Sequence, residues 1–150
     1  MARPGSYTIR LTAGSSTVDN ELNLSVDPRV LEQGTTLGDI DEQVDFELVV
    51  VDLLSEVRQF EKRVADEQKE LEDRSEELSP AEAARLLVVT DVLNEVKSAE
   101  IIYPQPMLTS QVSYLYGMVN KADQAPGIEA SDRYAELAAK LAGIKNMYGR

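Results

Sequence analysis

Residues 39–78 read DIDEQVDFELVVVDLLSEVRQFEKRVADEQKELEDRSEEL. Within them Phe46, Val50, Leu53, Val57, Phe60, Val64, Leu71 and Leu78 fall three, four and then seven residues apart. That spacing puts them on one stripe of an α-helix packed along its length. Val44, Leu48, Val51 and Leu54 widen the stripe in the first half only, so that half is expected among several neighbours and the second against one. Glu67 and Arg74 interrupt the narrow stripe, which fits an exposed two-helix arm. A helix of this length would reach about 60 Å, so a bend or break is expected before Glu77.

Downstream, Ser79-Pro80-Ala81-Glu82 is a capping box with proline at the first helical position, and it starts a second helix. Its stripe is Leu86, Val89, Leu93 and Val96, ending near Ile102. Tyr103-Pro104-Gln105-Pro106 then forces extended chain, because proline disfavours a helical residue before it. A third helix aligns Leu108, Val112, Leu115, Val119 and Ala122, until Ala125-Pro126-Gly127 breaks it. The last helix aligns Ala130, Tyr134, Leu137, Leu141, Ile144 and Tyr148. Short connections make successive helices antiparallel neighbours.

Upstream the period changes. Residues 4–12 alternate as a strand, Ala13-Gly14-Ser15-Ser16 turn, and Thr17 to Val26 alternate again before Asp27-Pro28 stops the run. The predicted fold class is therefore mainly α: an antiparallel bundle of about four helices with a long first helix and an N-terminal β-hairpin. The expected divisions are a hairpin at 4–26, a linker at 27–38, and a bundle at 39–148 with a helical-hairpin arm around 58–100. An isolated two-stranded sheet is marginal in water. The hairpin must lie on its own helices or on something outside the chain.

Composition narrows the function. The 150 residues are 43% hydrophobic and include no cysteine, histidine or tryptophan, so a core is affordable while thiol and imidazole chemistry are excluded. The formal charge is -12, and it is uneven. Residues 39–78 hold fifteen acids against five bases, while the flanking segments are each near neutral. Nucleic acid requires the opposite sign along a face, and an anionic membrane surface is disfavoured for the same reason. A solvated, solubilising helix face is the simplest reading of the acids. No apolar run is long enough to span a bilayer, and no basic-then-apolar leader is visible at the N-terminus.

Pro4-Gly5-x-Tyr7-Thr8-Ile9-Arg10-Leu11-Thr12, the turn, and then Leu24-Ser25-Val26-Asp27-Pro28-Arg29-Val30 resemble the C-terminal region of bacterial sortilin-like, BNR-repeat proteins, often labelled glycosyl hydrolases. Leu115-Tyr116-Gly117-x-Val119-x-x-Ala122-Asp123-x-Ala125-Pro126 is similar to the helical tail of that family. The resemblance implies that residues 4–26 are closing strands of an Ig-like sandwich that follows a propeller, and that the setting is extracytoplasmic. No position matches a family catalytic motif, and the tryptophan of the repeat signature is absent. No catalytic residue is carried over. A sandwich needs about seven strands, so the others would come from a separate chain or a missing domain.

The residues that carry chemistry elsewhere have structural explanations here. Asp39, Asp41, Glu42 and Asp45 cluster at a helix start, where acids complement the dipole. As cation ligands they lack a loop with glycine at a sharp turn, and as a catalytic pair they would need a cleft to perturb them. Asp19, Asn20 and Glu21 read as strand or bulge polarity. Tyr134 and Tyr148 fall on a core stripe, whereas a sugar platform would want them outward. Gly5 before Tyr7 fits a tyrosine corner, a structural device. Asn23-Leu24-Ser25 matches a glycosylation acceptor inside a strand.

These observations point to a noncatalytic interaction module with no cofactor or metal, which binds a protein partner chain or a missing domain of the same protein. Strand addition through the hairpin is the expected mode, with Tyr7, Ile9, Leu11, Leu22, Leu24 and Val26 as contacts. Two alternatives use other residues. In a coiled-coil adaptor, Val64, Leu71 and Leu78 of the arm would pair with a second copy or a helical partner. In a carboxylate-based glycoside hydrolase, Asp41 and Asp45 would act.

Overall fold

The computed structural model describes residues 2–121 and 123–149. The chain runs β1 (Gly5–Ala13), β2 (Ser16–Leu24), α1 (Pro28–Glu32), α2 (Leu37–Asp73), α3 (Pro80–Val96), α4 (Leu108–Val119) and α5 (Ile128–Tyr148). It is mainly helical, with a long helix and an N-terminal antiparallel hairpin, as the periodicities require. The expected linker holds the short α1, whose N-cap Asp27 accepts the Arg29 N–H ahead of Pro28. Ala122, expected on the third helical stripe, lies outside the described residues.

α2 starts at a reciprocal cap. The Thr36 hydroxyl accepts the Asp39 N–H at 3.1 Å, and the Asp39 carboxylate accepts the Thr36 N–H at 2.7 Å. That backbone bond, with the Thr36 hydroxyl, holds the Asp39 carboxyl below its ordinary range. The helix then runs 37 residues without a break, about 55 Å at the helical rise. It ends at Asp73, and a 3-10 turn at Ser75–Glu77 leads to the Ser79–Glu82 capping box of α3. The helix thus breaks just short of Glu77, as expected.

Along this rod the other helices take fixed stations. α3 lies antiparallel against the far half: Arg74 meets Glu82, Gln68 bonds Thr90 at 3.2 Å, and Arg85 meets Glu67. α4 lies against the near half, also antiparallel, with Thr109 bonded to Glu61 and Gln43 to the Val119 carbonyl at 3.0 Å. α3 and α4 therefore point the same way, end to end. Together they make one interrupted column, and α5 returns parallel to α2, with Tyr134 on Phe46 and Tyr148 on Phe60. Four helices form three columns. Successive helices reverse at the α2–α3 and α4–α5 connections, but the one from α3 to α4 does not.

The interruption is a loop pinched at its base. The Ser98 hydroxyl accepts the Met107 N–H at 2.9 Å and lies 2.8 Å from the Ser110 hydroxyl. Between these points the chain bulges outward, with Tyr103 in the left-handed region at φ 57°. The apolar seam ignores the break. Val89, Val92 and Val96 of α3 continue into Leu108, Val112 and Leu115 of α4, all buried against Val50, Leu53, Val57, Phe60 and Val64 of α2 and Leu137, Leu141 and Ile144 of α5. Val64 and Leu71, expected as contacts for another chain, are buried within this one. In this half of α2 the seam is already occupied by α3.

Glu67 interrupts the stripe because it serves a different contact. Its carboxylate receives Arg85 Nε at 2.7 Å and Nη2 at 3.1 Å, and also the Tyr148 hydroxyl. Arg85 donates to the Tyr148 carbonyl and stacks 4.4 Å from its ring centroid. One guanidinium thus fastens the end of α5 to α2 and α3. The Arg85 hydrogen bond holds the Glu67 carboxyl below the usual carboxylate range against a smaller opposing effect of burial, while burial and Glu67 push the Tyr148 phenol up.

Arg85→Met keeps the stem and removes the clasp, and should lower unfolding free energy by roughly 2 kcal/mol, measured by urea denaturation at neutral pH. Because the folded Glu67 pKa is depressed, its stabilisation is complete above the ordinary value near 4.5 and is lost as pH falls through the lower folded value. The gap between wild type and variant should hold from pH 7 to about 5 and narrow below about 4.5, leaving the part that Arg85 owes to the Tyr148 carbonyl and ring. A gap that persists unchanged at pH 2 would assign the loss to packing alone.

Candidate partner-binding surface

The hairpin is built by a two-residue turn. Gly14 has φ 61°, and Ser15 is not in the left-handed region. Positive φ at the first central position alone is the type II′ arrangement, whose twist matches that of the strands. The register follows: Ala13 opposite Ser16, Leu11 opposite Val18, Ile9 opposite Asn20, Tyr7 opposite Leu22 and Gly5 opposite Leu24. Side chains of opposed residues share a face. Tyr7, Ile9, Leu11, Val18, Leu22 and Leu24 therefore form one apolar face, broken only by Asn20. Ser6, Thr8, Arg10, Thr12, Thr17, Asp19, Glu21 and Asn23 form the polar one.

Nothing in the described chain covers the apolar face. Every residue from Gly5 to Leu24 is exposed, with Ile9 at 52%, Leu11 at 68% and Val18 at 65%. Of the two places open to the hairpin on sequence grounds, its own helices are not the one taken. Val26, expected with the face, is half-buried where the chain leaves the sheet. Val18 was missed by the sequence reading; its signal was the register that the Gly14 turn sets.

Polar contacts fix the hairpin without hiding it. Arg10 makes a bidentate pair with Asp19, both bonds 2.8 Å, which holds Asp19 below and Arg10 above their ordinary values. The Tyr7 hydroxyl donates to the Arg3 carbonyl four residues upstream, as a tyrosine corner would. Arg3 pairs with Asp41 and Asp45 on the first turns of α2 and so tethers the hairpin's base. That is where the acidic cluster goes: Asp39 caps the helix, and Asp41 and Asp45 hold Arg3. Among the described residues no group of three or more acidic side chains is placed to hold a metal ion.

Two further apolar surfaces flank the bundle. The α3–α4 loop lifts Ile101, Ile102 and Tyr103 into solvent, the last two at 86% and 95% exposure. An open cleft of about 770 Å³ lies between α4, α5 and their connection, lined by Tyr114, Leu115, Met118, Pro126, Ala130 and Arg133 among others. Its floor includes Gln43, a buried amide that donates to the Val119 carbonyl and accepts the Gln124 N–H at 3.1 Å. Sequence reasoning did not find this cleft. Tyr134 and Tyr148 pack on the core as expected, whereas Tyr114 stands out at the cleft.

Comparison of the chain with protein-family models, with curated proteins and with solved structures finds no match in any of the three.

Two outcomes follow from this geometry. Ile9→Lys with Leu11→Lys should leave the unfolding free energy within about 0.5 kcal/mol of wild type, read by circular dichroism at 222 nm in urea; a larger loss would mean that the face packs on the bundle. Gln43→Ala strands a backbone carbonyl and an amide where the α4–α5 connection meets α2, and should cost about 1–3 kcal/mol in the same assay.

Proposed function

We propose that this chain is a noncatalytic interaction module, a subunit or the C-terminal part of a larger assembly, which binds a protein partner through its hairpin and helical surface. The observation that carries the reading is the uncovered apolar face of β1 and β2. Six half-exposed apolar side chains present on the order of 500 Å², within the range where the largest patch on a monomer marks a functional contact. An isolated hairpin does not sustain such a face in water. The resemblance of residues 4–30 to the closing strands of a sortilin-like protein supports the same reading, since closing strands need the rest of their sheet. The exposed loop at Ile101–Tyr103 and the α4–α5 cleft add surface of the same character.

The coiled-coil alternative draws less support, because Val64 and Leu71 already pack inside the chain. Carboxylate catalysis draws less still, because Asp39, Asp41 and Asp45 are engaged in a cap and in ion pairs.

Light scattering of the purified chain from micromolar to millimolar concentration tests the reading. Wild type should self-associate or aggregate as concentration rises, and Ile9→Lys with Leu11→Lys should remain monomeric. A wild-type chain as monodisperse as that variant throughout would overturn it.

A further inference from the structure

The two edges of the hairpin are not equivalent. In a two-residue hairpin the residues flanking the turn form a hydrogen-bonded pair, and such pairs then alternate with non-bonded ones along the ladder. Gly5, Tyr7, Ile9, Leu11 and Ala13 therefore spend their main-chain groups on β2. Those of Ser6, Thr8, Arg10 and Thr12 point away from it, along the free flank of β1. By the same count Thr17, Asp19, Glu21 and Asn23 point outward from β2. An independent contact agrees with this parity: the Glu21 N–H donates to the Asn20 side-chain oxygen at 3.0 Å, outside the ladder.

That contact also closes part of the β2 edge. A docking strand there would meet an occupied donor at Glu21 and the Glu21 carboxylate, a charge of the kind that protects an edge against pairing, while Asp19 is turned to Arg10. β1 has neither guard. Gly5 to Ala13 contains no acid, and its single charge, Arg10, is folded back across the hairpin onto Asp19. The Ser6 hydroxyl likewise turns to Asn23, and Thr12 lies beside Thr17. The polar side chains of β1 that make these contacts lean towards β2 and leave its outer main chain clear.

Resting on the interaction reading above, we propose that β1 is the edge to which the partner adds, and that the partner presents an extended strand of alternating apolar and uncharged or basic side chains. The alternation follows from the pleat. Residues entering beside Tyr7, Ile9 and Leu11 extend the apolar face, and those beside Ser6, Thr8, Arg10 and Thr12 extend the polar one. Acids are disfavoured at long range by the chain's charge of -12, most of it carried by residues 39–78 beneath the hairpin's base. A second copy of the chain is a poor occupant. Two β1 edges joined about a two-fold axis would give four strands with twice the uncovered apolar face, so the strand belongs to a partner that also brings a covering layer.

The test uses the whole 150-residue chain, labelled, and, as probe, a synthetic peptide of alternating valine and threonine with one central lysine. Residue-resolved amide exchange reports which edge it occupies. Saturating peptide should slow exchange at Ser6, Thr8, Arg10 and Thr12 about tenfold or more, the worth of one hydrogen bond to a main-chain amide, and leave Thr17, Asp19 and Asn23 unchanged. Thr8→Pro deletes one outward N–H without touching the β1–β2 ladder and should weaken peptide binding about tenfold, while Glu21→Pro should not. Protection on β2, equal protection on both edges, or a silent Thr8→Pro overturns the assignment. Binding lost in Ile9→Lys with Leu11→Lys but indifferent to Thr8→Pro would keep the interaction reading and reject the edge. Protection of β1 that grows with protein concentration in the absence of peptide would make the occupant a second copy, and would reject the partner proposed.

Discussion

The apolar seam of α2 is the contact on which the rest of the bundle depends. Val50, Leu53, Val57, Phe60 and Val64 are all buried, and each turn of that helix supplies a place for a residue of α3, α4 or α5. A core residue of this kind contributes about 1.5–3 kcal/mol by leaving water. Among the described residues none of the other helices is long enough to cover so extended a seam. α3 covers the far half and α4 the near half, while α5 closes the third side. The broken column is a consequence of that length: two short helices bury what one long helix exposes.

This arrangement explains where polar groups enter the interior. Past Tyr148 the third column ends, and the seam changes from three walls to two. Glu67, Arg85 and Tyr148 meet at that step and tie the three columns where the apolar packing thins. At the opposite end Gln43 does similar work with backbone groups of the α4–α5 connection. Both sites satisfy main-chain or charged partners that burial would otherwise penalise by a few kcal/mol.

The hairpin obeys a different economy. It adds nothing to that core, since all of Gly5 to Leu24 is exposed. It is held by local devices: the Gly14 turn, the Arg10–Asp19 pair, the Tyr7–Arg3 contact and the tether from Arg3 to α2. A segment so well specified locally gains little from the rest of its own chain, and the proposed partner contact rests on that uncovered face. Its two edges differ as well: the Glu21 N–H on β2 is taken by Asn20, and the β1 side chains Ser6 and Arg10 turn across to β2.

Much of this was legible without coordinates. The long helix, the Ser79–Glu82 start of α3, the breaks at Pro104 and Pro126 and the hairpin all follow from period, caps and turn residues, which are local properties of the chain. So does the apolar face of Tyr7, Ile9 and Leu11, because strand alternation is local too. Tertiary structure alone decided the direction of α4, since the residues between Val96 and Leu108 permit either a reversal or a bulge. Only the unfilled near half of α2 selects the bulge. It also decided that Val64 and Leu71 face α3 and not another chain, because a heptad stripe reads the same whether its partner is internal or external. Likewise the α4–α5 cleft exists only once those helices are placed. That the hairpin stands off the bundle was beyond the sequence for the same reason: its pattern demands a covering surface without saying which one, and the helices' apolar stripes are all spent on each other.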